Sequence, residues 1–424
     1  MTNRKLAELY RIPENKEGHP TTAKGELDLM VERLAEAGHP DRVLELVQDI
    51  RSLDYNLNTQ IPNWKPSADG RVHTTWGYLA ASGQLNSARP NVLNLSKHTD
   101  EGQRFRRIIE APYGYSFLEL DKKSYHVATL GYCADDPTYI RFSQLDPHTI
   151  FASNIVPRDW CRPITLDLSE GEILERSSWL KKKCKEMKAI IGVDFRQDVA
   201  KNTVLANQLG QREWNFYRKH RKYIASVAEA KRLQDTLNDM FPLVTAFKNN
   251  IREIVYDGGR NMEQGLARKM KERWGGPKFI ILREWGIIDY FFDVFNWKFN
   301  ARTRQFTKTH GTDSEKVIAL PVQGEAFGML KYEIRGMNAK GYLETYGFIN
   351  TIHDSTVFLC RDSRLDSGIH DISAFMGSSC PRMLLPSTGQ ALRVGVEASV
   401  GKNLQARDHF GKGTNPEGMR EVKV

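Results

Sequence analysis

The sequence is poor in everything that would carry it across or out of a membrane. It has no run of about 18 apolar residues, and its mean hydropathy is −0.52. Its opening stretch, MTNRKLAELYRIPENKEG, lacks the apolar core of a secretion signal. Cysteine is scarce and scattered, at 133, 161, 184, 360 and 380, with no C-x-x-C pair. That argues against a disulfide framework and against a zinc site, and it fits a reducing cytoplasm. There is no internal repeat and no low-complexity tract. What is present is ordinary for a folded protein: 424 residues, 40% hydrophobic and 10% aromatic. This is enough for a buried core and two or three structural units. Lys and Arg number 61 against 52 Asp and Glu, a net charge of +9. A basic balance of this size points towards a polyanionic partner.

The charge is not spread evenly. Residues 151–304 hold 29 Lys/Arg against 19 Asp/Glu, so this segment accounts for all of the excess. KKKCKEMK (181–188), RKHRK (218–222) and RKMKER (268–273) lie within it. One such run is usually a solvated helix face, but their concentration favours phosphate binding. Periodicity predicts helices over 6–53, broken at Gly38-His39-Pro40, and a mostly helical region from 165 to 304. Asp69-Gly70 is a good hairpin turn. YSFLELD (115–121) alternates like a strand, and PVQGEAFGMLKYEIRGM (321–337) reads as a helix. YGFINTI and TVFLC flank His353-Asp354-Ser355 as the two arms of a hairpin.

Asp121 and Asp354 each stand where an apolar strand stops or turns. Either alone is an ordinary turn residue, because a short carboxylate bonds nearby backbone N–H groups. Brought together on neighbouring strands, they would make a site for a pair of Mg²⁺ ions.

In this context the sequence resembles the family A DNA polymerases, from about residue 42 to 406. DGRVHTTWGYLAASGQLNSARPNVLNL (69–95) is similar to the family's "GRVHT…TGRLSS…PNLQNIP" block. EGQRFRRIIEAPYGYSFLELDKKSYHVATLGY (101–132) resembles motif A, and Asp146-Pro147-His148 matches the family's "D-I-H" at the entry to the fingers. KNTVLANQLG (201–210) resembles motif B, and VAEAKRLQDTLNDMFP (227–242) resembles the helix after it. PVQGEAFGMLK (321–331) is similar to "PMQGTAADIIK", INTIHDSTVFLC (349–360) to motif C, and LRVGVEASVGKNL (392–404) to the closing strand.

The resemblance implies an α+β right hand. It would have a short helical thumb (1–68), an antiparallel-sheet palm in two parts (69–145 and 305–424) and helical fingers between them (146–304). It implies template-directed transfer of dNMP from dNTP to a primer 3′-hydroxyl. Asp121, Asp354 and the backbone carbonyl of Lys122 would hold two Mg²⁺ ions, for which Mn²⁺ can substitute. Lys201, with His148 and Arg196, would meet the triphosphate. Leu205 would lie under the templating base, and His126 would fill the space of a ribose 2′-hydroxyl, five residues past Asp121 and so just over one helical turn on. Gln84, Asn86, Asn91, Arg104, Gln323 and His353 would contact primer-template DNA. The implied setting is the cytoplasm of a bacterial or phage-infected cell, or an organelle, with no membrane contact. About 65 residues precede the palm, too few for an exonuclease domain, so proofreading would need a separate exonuclease or another replisome protein.

Several positions depart from the family pattern. Leu205 and Leu209 replace motif B aromatics, Gln84 replaces an Arg, Ser355 replaces the Glu after the motif C Asp, and Leu404 replaces a Trp. The Arg expected four residues before Lys201 is Gln197, with Arg196 one place further back. In an α-helix that residue would point about 100° off the expected face and reach the triphosphate only through an irregularity. These losses keep open a primer-template binding or scaffolding subunit of a replisome, against which Asp121, Asp354 and Lys201 argue. An RNA-synthesising relative would need a small residue in place of His126. Primer extension with dNTPs or rNTPs separates the three readings.

Overall fold

The computed structural model describes residues 42–55, 57–58, 61–77, 85–97, 99–256, 279–282, 285–286, 288–300, 304–311, 313–314 and 316–424, with single positions at 27, 30, 31, 34, 39 and 41. Most of the first helical stretch, the Gly38 and Pro40 break, Gln84 and the basic run at 268–273 lie outside them. Two units divide the chain, residues 1–77 with 87–92 and residues 78–86 with 93–424. In the first, Asp41 caps helix α1 (Arg42–Tyr55) by accepting the Val43 N–H at 2.8 Å. Leu44 is buried there against Leu27. Strand β1 (Thr75–Gly77) pairs with β2 (Asn86–Ala88). Asp69-Gly70 does form a turn, with Gly70 at φ 72° and its N–H on the Ser67 carbonyl, but no strand flanks it.

The second unit is organised by a sheet. Helix α2 (Asp100–Arg107) leads into strand β3 (Tyr115–Lys122), whose alternation sorts its side chains. Leu118 and Leu120 enter the main core with Tyr125, Met329, Leu330 and Ile372. Phe117 packs on the other face with Val357, Leu404 and Met419. After β3 come α3 (Tyr125–Cys133), α4 (Pro137–Gln144) and α5 (Pro147–Ile155). The last two start identically: Asp136 or Asp146 caps, and a proline takes the first helical position, where its missing N–H costs nothing. Helix α6 (Glu170–Ile191) opens with a Ser169/Glu172 capping box and closes on Gly192 at φ 76°. Then follow α7 (Lys201–Gln208), α8 (Glu213–His220), α9 (Val227–Met240) and α10 (Pro242–Tyr256). Tyr139, Phe142 and Phe241 join rings at the centre of this helical core.

The described part of the expected helical run reaches Tyr256. Among the described residues of 279–310 two antiparallel strand pairs form, β4 (Phe279–Leu282) with β5 (Ile288–Phe291) and β6 (Phe295–Asn300) with β7 (Gln305–His310), where the sequence reading expected mostly helix up to 304. FIIL, IDYF and FNWKFN are β-branched and aromatic in short runs, which is strand chemistry.

Helix α11 (Lys316–Ala339) then packs on α3, followed by β8 (Phe348–Ile352), β9 (Ser355–Arg361), α12 (Leu365–Met376), the pair β10 (Ser379–Leu384) and β11 (Ala391–Arg393), β12 (Val396–Gly401) and β13 (Arg420–Val422). The main sheet runs β13-β12-β3-β9-β8, antiparallel throughout.

Lys122, on the Leu118/Leu120 face, is buried against Glu333 of α11 and the Met376 carbonyl. Burial lowers the Lys122 ammonium and raises Glu333 to about 7, so the pair is held at the expense of both charges. Glu333→Ala should therefore cost about 3–5 kcal/mol, because it strands a buried cation. The double change Lys122→Met with Glu333→Leu should recover most of that. Urea unfolding midpoints of the three proteins check it; equal losses in single and double variants would contradict it.

Candidate active site

The β8–β9 hairpin turns through His353 and Asp354 alone, since Ile352 pairs with Ser355. His353 is exposed and takes a left-handed φ of 56°. Across the next ladder Asp121 sits opposite Ser355. The residue beside Ser355 is Asp354, so the two aspartates come to one end of adjoining strands, and their carboxylates interact. Burial, opposed by Lys97 and reinforced by Asp354 and Glu119, pushes Asp121 up to about 6. Asp354 is raised too, by burial first. Among the described residues no group of three or more His, Cys, Asp and Glu forms a metal cage. Mg²⁺ needs none: it takes one or two carboxylates and completes its shell with water and phosphate oxygens. This donor set fits it.

Three residues that the sequence reading missed complete this corner. Glu119 lies two places before Asp121, on the same face of β3, and is buried. Its carboxylate lies 2.7 Å from the Lys97 ammonium and 3.6 Å from the Arg106 guanidinium, and accepts the Ser355 hydroxyl at 2.9 Å. Lys97 also reaches Asp121 at 3.2 Å. The period-2 pattern of YSFLELD already put an acid on the face of Asp121. Lys97 stands on an irregular loop and left no signal.

A second cluster forms around Asp146. Besides capping α5, Asp146 pairs with Lys181 at 2.6 Å and Arg196 at 3.2 Å, and these cations and backbone bonds outweigh burial to hold its carboxyl at about 2. Arg196 also donates to the Thr149 hydroxyl at 2.6 Å. Residues Phe195–Ala200 form a π-helical turn, and the Lys201 N–H bonds to the Arg196 carbonyl five residues back. One turn here closes over five residues, so Arg196 and Lys201 share a face. His148 lies close enough for Asp146, Arg196 and Lys201 to act on it, and burial leads in lowering it to about 4. Its Nδ1 is buried without a hydrogen-bond partner among the described residues.

The remaining candidates are dispersed. Leu205 and Leu209 are exposed. His126 does not follow Asp121 along a helix. A turn through Lys123 and Ser124 intervenes, and His126 is the second residue of α3. Its Nε2 is buried without a hydrogen-bond partner among the described residues, and its ring lies beside that of Tyr125. Gln323 is half-buried well inside α11. Arg104 is exposed, lies over the Phe410 ring, and lines a cavity of about 330 Å³ with Arg107, Gln405 and Thr414. Asn86 is exposed on β2, and Asn91 accepts the Ser87 hydroxyl at 2.9 Å.

An antiparallel sheet with paired aspartates at the ends of adjoining strands, flanked by helices that carry a basic face, defines a mixed α+β protein of the polymerase fold. No family model matches the chain. In sequence, 156 residues (35% of the chain) are 31% identical to the thermostable DNA polymerase I of Thermus thermophilus. A further 143-residue match, 34% identical, is to that of Thermus aquaticus, and 120 residues are 29% identical to DNA polymerase I of Pseudomonas aeruginosa. The matches span 18%, 17% and 13% of those proteins and 35%, 32% and 28% of this chain. In structure, 95% of the chain superposes on 60% of the POL domain of Pol1 from M. smegmatis, solved in complex with DNA primer-template and dNTP. The TM-score is 0.63 at 17% identity. The chain is thus similar in sequence to bacterial DNA polymerase I over about a third of its length, and shares the fold of a polymerase domain over nearly all of it. No helix among the described residues is long and apolar enough to cross a membrane.

Proposed function

We propose that the chain is a DNA-directed DNA polymerase that transfers dNMP from a dNTP to a primer 3′-hydroxyl. The observation that carries this is the β3–β9 register, which sets Asp121 opposite Ser355 and so beside Asp354. The sheet with α11 and α12 would be the palm, the helices from α5 to α10 the fingers, and the N-terminal unit a short thumb. Asp121, Asp354 and the Lys122 carbonyl would hold two Mg²⁺ ions. When bound, these would activate the primer hydroxyl and stabilise charge on the transferring phosphate during in-line displacement. Arg196 and Lys201 would bind the triphosphate from one face and neutralise charge as pyrophosphate leaves. His148, kept neutral beside them, would offer a hydrogen bond without adding charge. Arg104, Asn86, Asn91 and Gln323 would contact the primer-template, and Leu205 would present an aliphatic surface to the templating base.

Primer extension with Mg²⁺ and dNTPs tests the reading directly. Extension should depend on template sequence and fail with EDTA. Tight primer-template binding with no extension would instead favour the scaffolding role that Leu205 and Leu209 leave open.

His126 carries a prediction about sugar choice. Its Nε2 is buried with no hydrogen-bond partner among the described residues. Exclusion of a 2′-hydroxyl by bulk needs volume, not charge. His126→Ala should raise ATP over dATP insertion opposite template T by about tenfold, a difference of about 1.4 kcal/mol in transition-state binding. An unchanged ratio would place the gate elsewhere than His126, and not at Tyr125, which is buried in the main core.

A further inference from the structure

The corner behind Asp121 departs from the family pattern in a coordinated way. Where the family carries Glu after the motif C aspartate, this chain has Ser355, fully buried. Its hydroxyl lies against the Glu119 carboxylate at 2.9 Å, so a longer acidic side chain at 355 would run into Glu119. The third carboxylate has moved from β9 to β3. Unlike a free carboxylate, it is saturated by Ser355, Arg106 and Lys97.

Lys97 is held at both ends. Its carbonyl accepts the side-chain amide of Gln103 at 2.7 Å, and buried Gln103 itself accepts the Ala406 N–H at 2.8 Å. Its ammonium lies 2.7 Å from Glu119 and 3.2 Å from Oδ2 of Asp121. Two long side chains in a solvated ion pair are weakly ordered, whereas this one is fixed by buried partners. A unit positive charge is thereby tethered to one oxygen of the aspartate that faces Asp354.

We propose that Lys97, anchored by Glu119, is a positioning residue that fixes the Asp121 carboxylate and acts as its resident cation. It thereby keeps the aspartate pair from holding a divalent ion tightly until nucleotide phosphates add negative charge. This rests on the reading of Asp121 and Asp354 as metal ligands. Like charges a few ångströms apart in a partly buried site repel strongly, so an arriving ion must either face Lys97 or displace it from Asp121. Either route weakens ion binding in the absence of nucleotide.

The test is a titration of the full chain with Mn²⁺, without DNA or nucleotide, with free Mn²⁺ read by electron paramagnetic resonance. Lys97→Met should bind Mn²⁺ at least about tenfold more tightly than wild type, by the loss of one nearby positive charge. Lys97→Gln should do the same while keeping a hydrogen bond to Glu119, which guards against a folding defect in the methionine variant. Lys97→Arg should stay near wild type. Unchanged affinity in both neutral variants, or an arginine variant as tight as methionine, would overturn the proposal. Asp354→Asn separates the two readings. If it abolishes binding while the lysine variants are neutral, only the role of Lys97 falls. If it leaves binding intact, the ion site itself is misplaced and the proposal falls with it.

Discussion

Asp354→Asn is expected to lower single-nucleotide incorporation by about 10³-fold or more, some 4 kcal/mol of transition-state stabilisation. Primer-template affinity should change by less than about twofold, because that affinity rests on phosphate contacts by basic side chains. Asp121→Asn should behave alike, whereas Ser355→Ala should be mild, since a hydroxyl is a poor ligand beside two carboxylates. A second effect runs the opposite way. The folded protein raises Asp121 from its ordinary value near 4 to about 6. A carboxyl raised on folding costs stability at every pH above its folded value. That cost shrinks as pH falls through about 6, when the folded state takes up the proton, and is gone below about 4, where both states hold it. In EDTA, then, Asp354→Asn should raise the thermal midpoint at pH 7–8 by relieving Asp121, and the gain should fade towards pH 4. Loss of activity with gain of stability is the signature of carboxylates held together for a cation. A variant that stays active, or that loses stability at pH 8, would remove the aspartate pair from the chemistry.

Much of this corner is legible in the sequence because strands announce themselves by alternation. YSFLELD and the two apolar arms around His353-Asp354 read as strands, and β3 and β9 lie where expected. Pairing those strands, and hence the meeting of the aspartates, was not a matter of local pattern; it came from the family resemblance. Glu119 shows the limit from the other side. The alternation already assigned its face, but a glutamate in a strand ordinarily faces solvent, and only the packing of Arg106 and Ser355 shows that it is buried. Lys97 belongs to a loop with no period to read. In 279–304 the reading extended the helical expectation of the preceding segment, while short β-branched and aromatic runs determined the two strand pairs. Leu205 and Leu209 lie exposed on the helix that motif B predicts, so the loss of the aromatics left the helix itself intact.

The π-helical turn is the feature no residue pattern could reveal, and it changes what Arg196 can do. Counted along an α-helix, Arg196 falls about 100° from the face on which the expected arginine would stand, and Gln197 takes that place. The structure closes that gap with one long turn. Asp194 starts it by accepting the N–H groups of both Arg196 and Gln197, at 2.9 and 3.0 Å. The Lys201 N–H then reaches back five residues to the Arg196 carbonyl. Such single turns carry one extra residue within a helix, and they recur at functional sites. With its guanidinium fixed by Asp146 and Thr149, Arg196 is ordered before any ligand arrives. Arg196→Ala should therefore lower kcat/KM for dNTP by about 10- to 100-fold, the worth of about 1.5–3 kcal/mol for hydrogen bonds to a charged group. Primer-template affinity should hold. The decisive variant moves the arginine by one place. Arg196→Ala combined with Gln197→Arg restores the family spacing in sequence but places the guanidinium off the shared face. No recovery is expected, and steady-state insertion kinetics of the three proteins read the outcome. Recovery to near wild type would mean that the segment is α-helical when nucleotide binds, and that Gln197, not Arg196, faces the triphosphate.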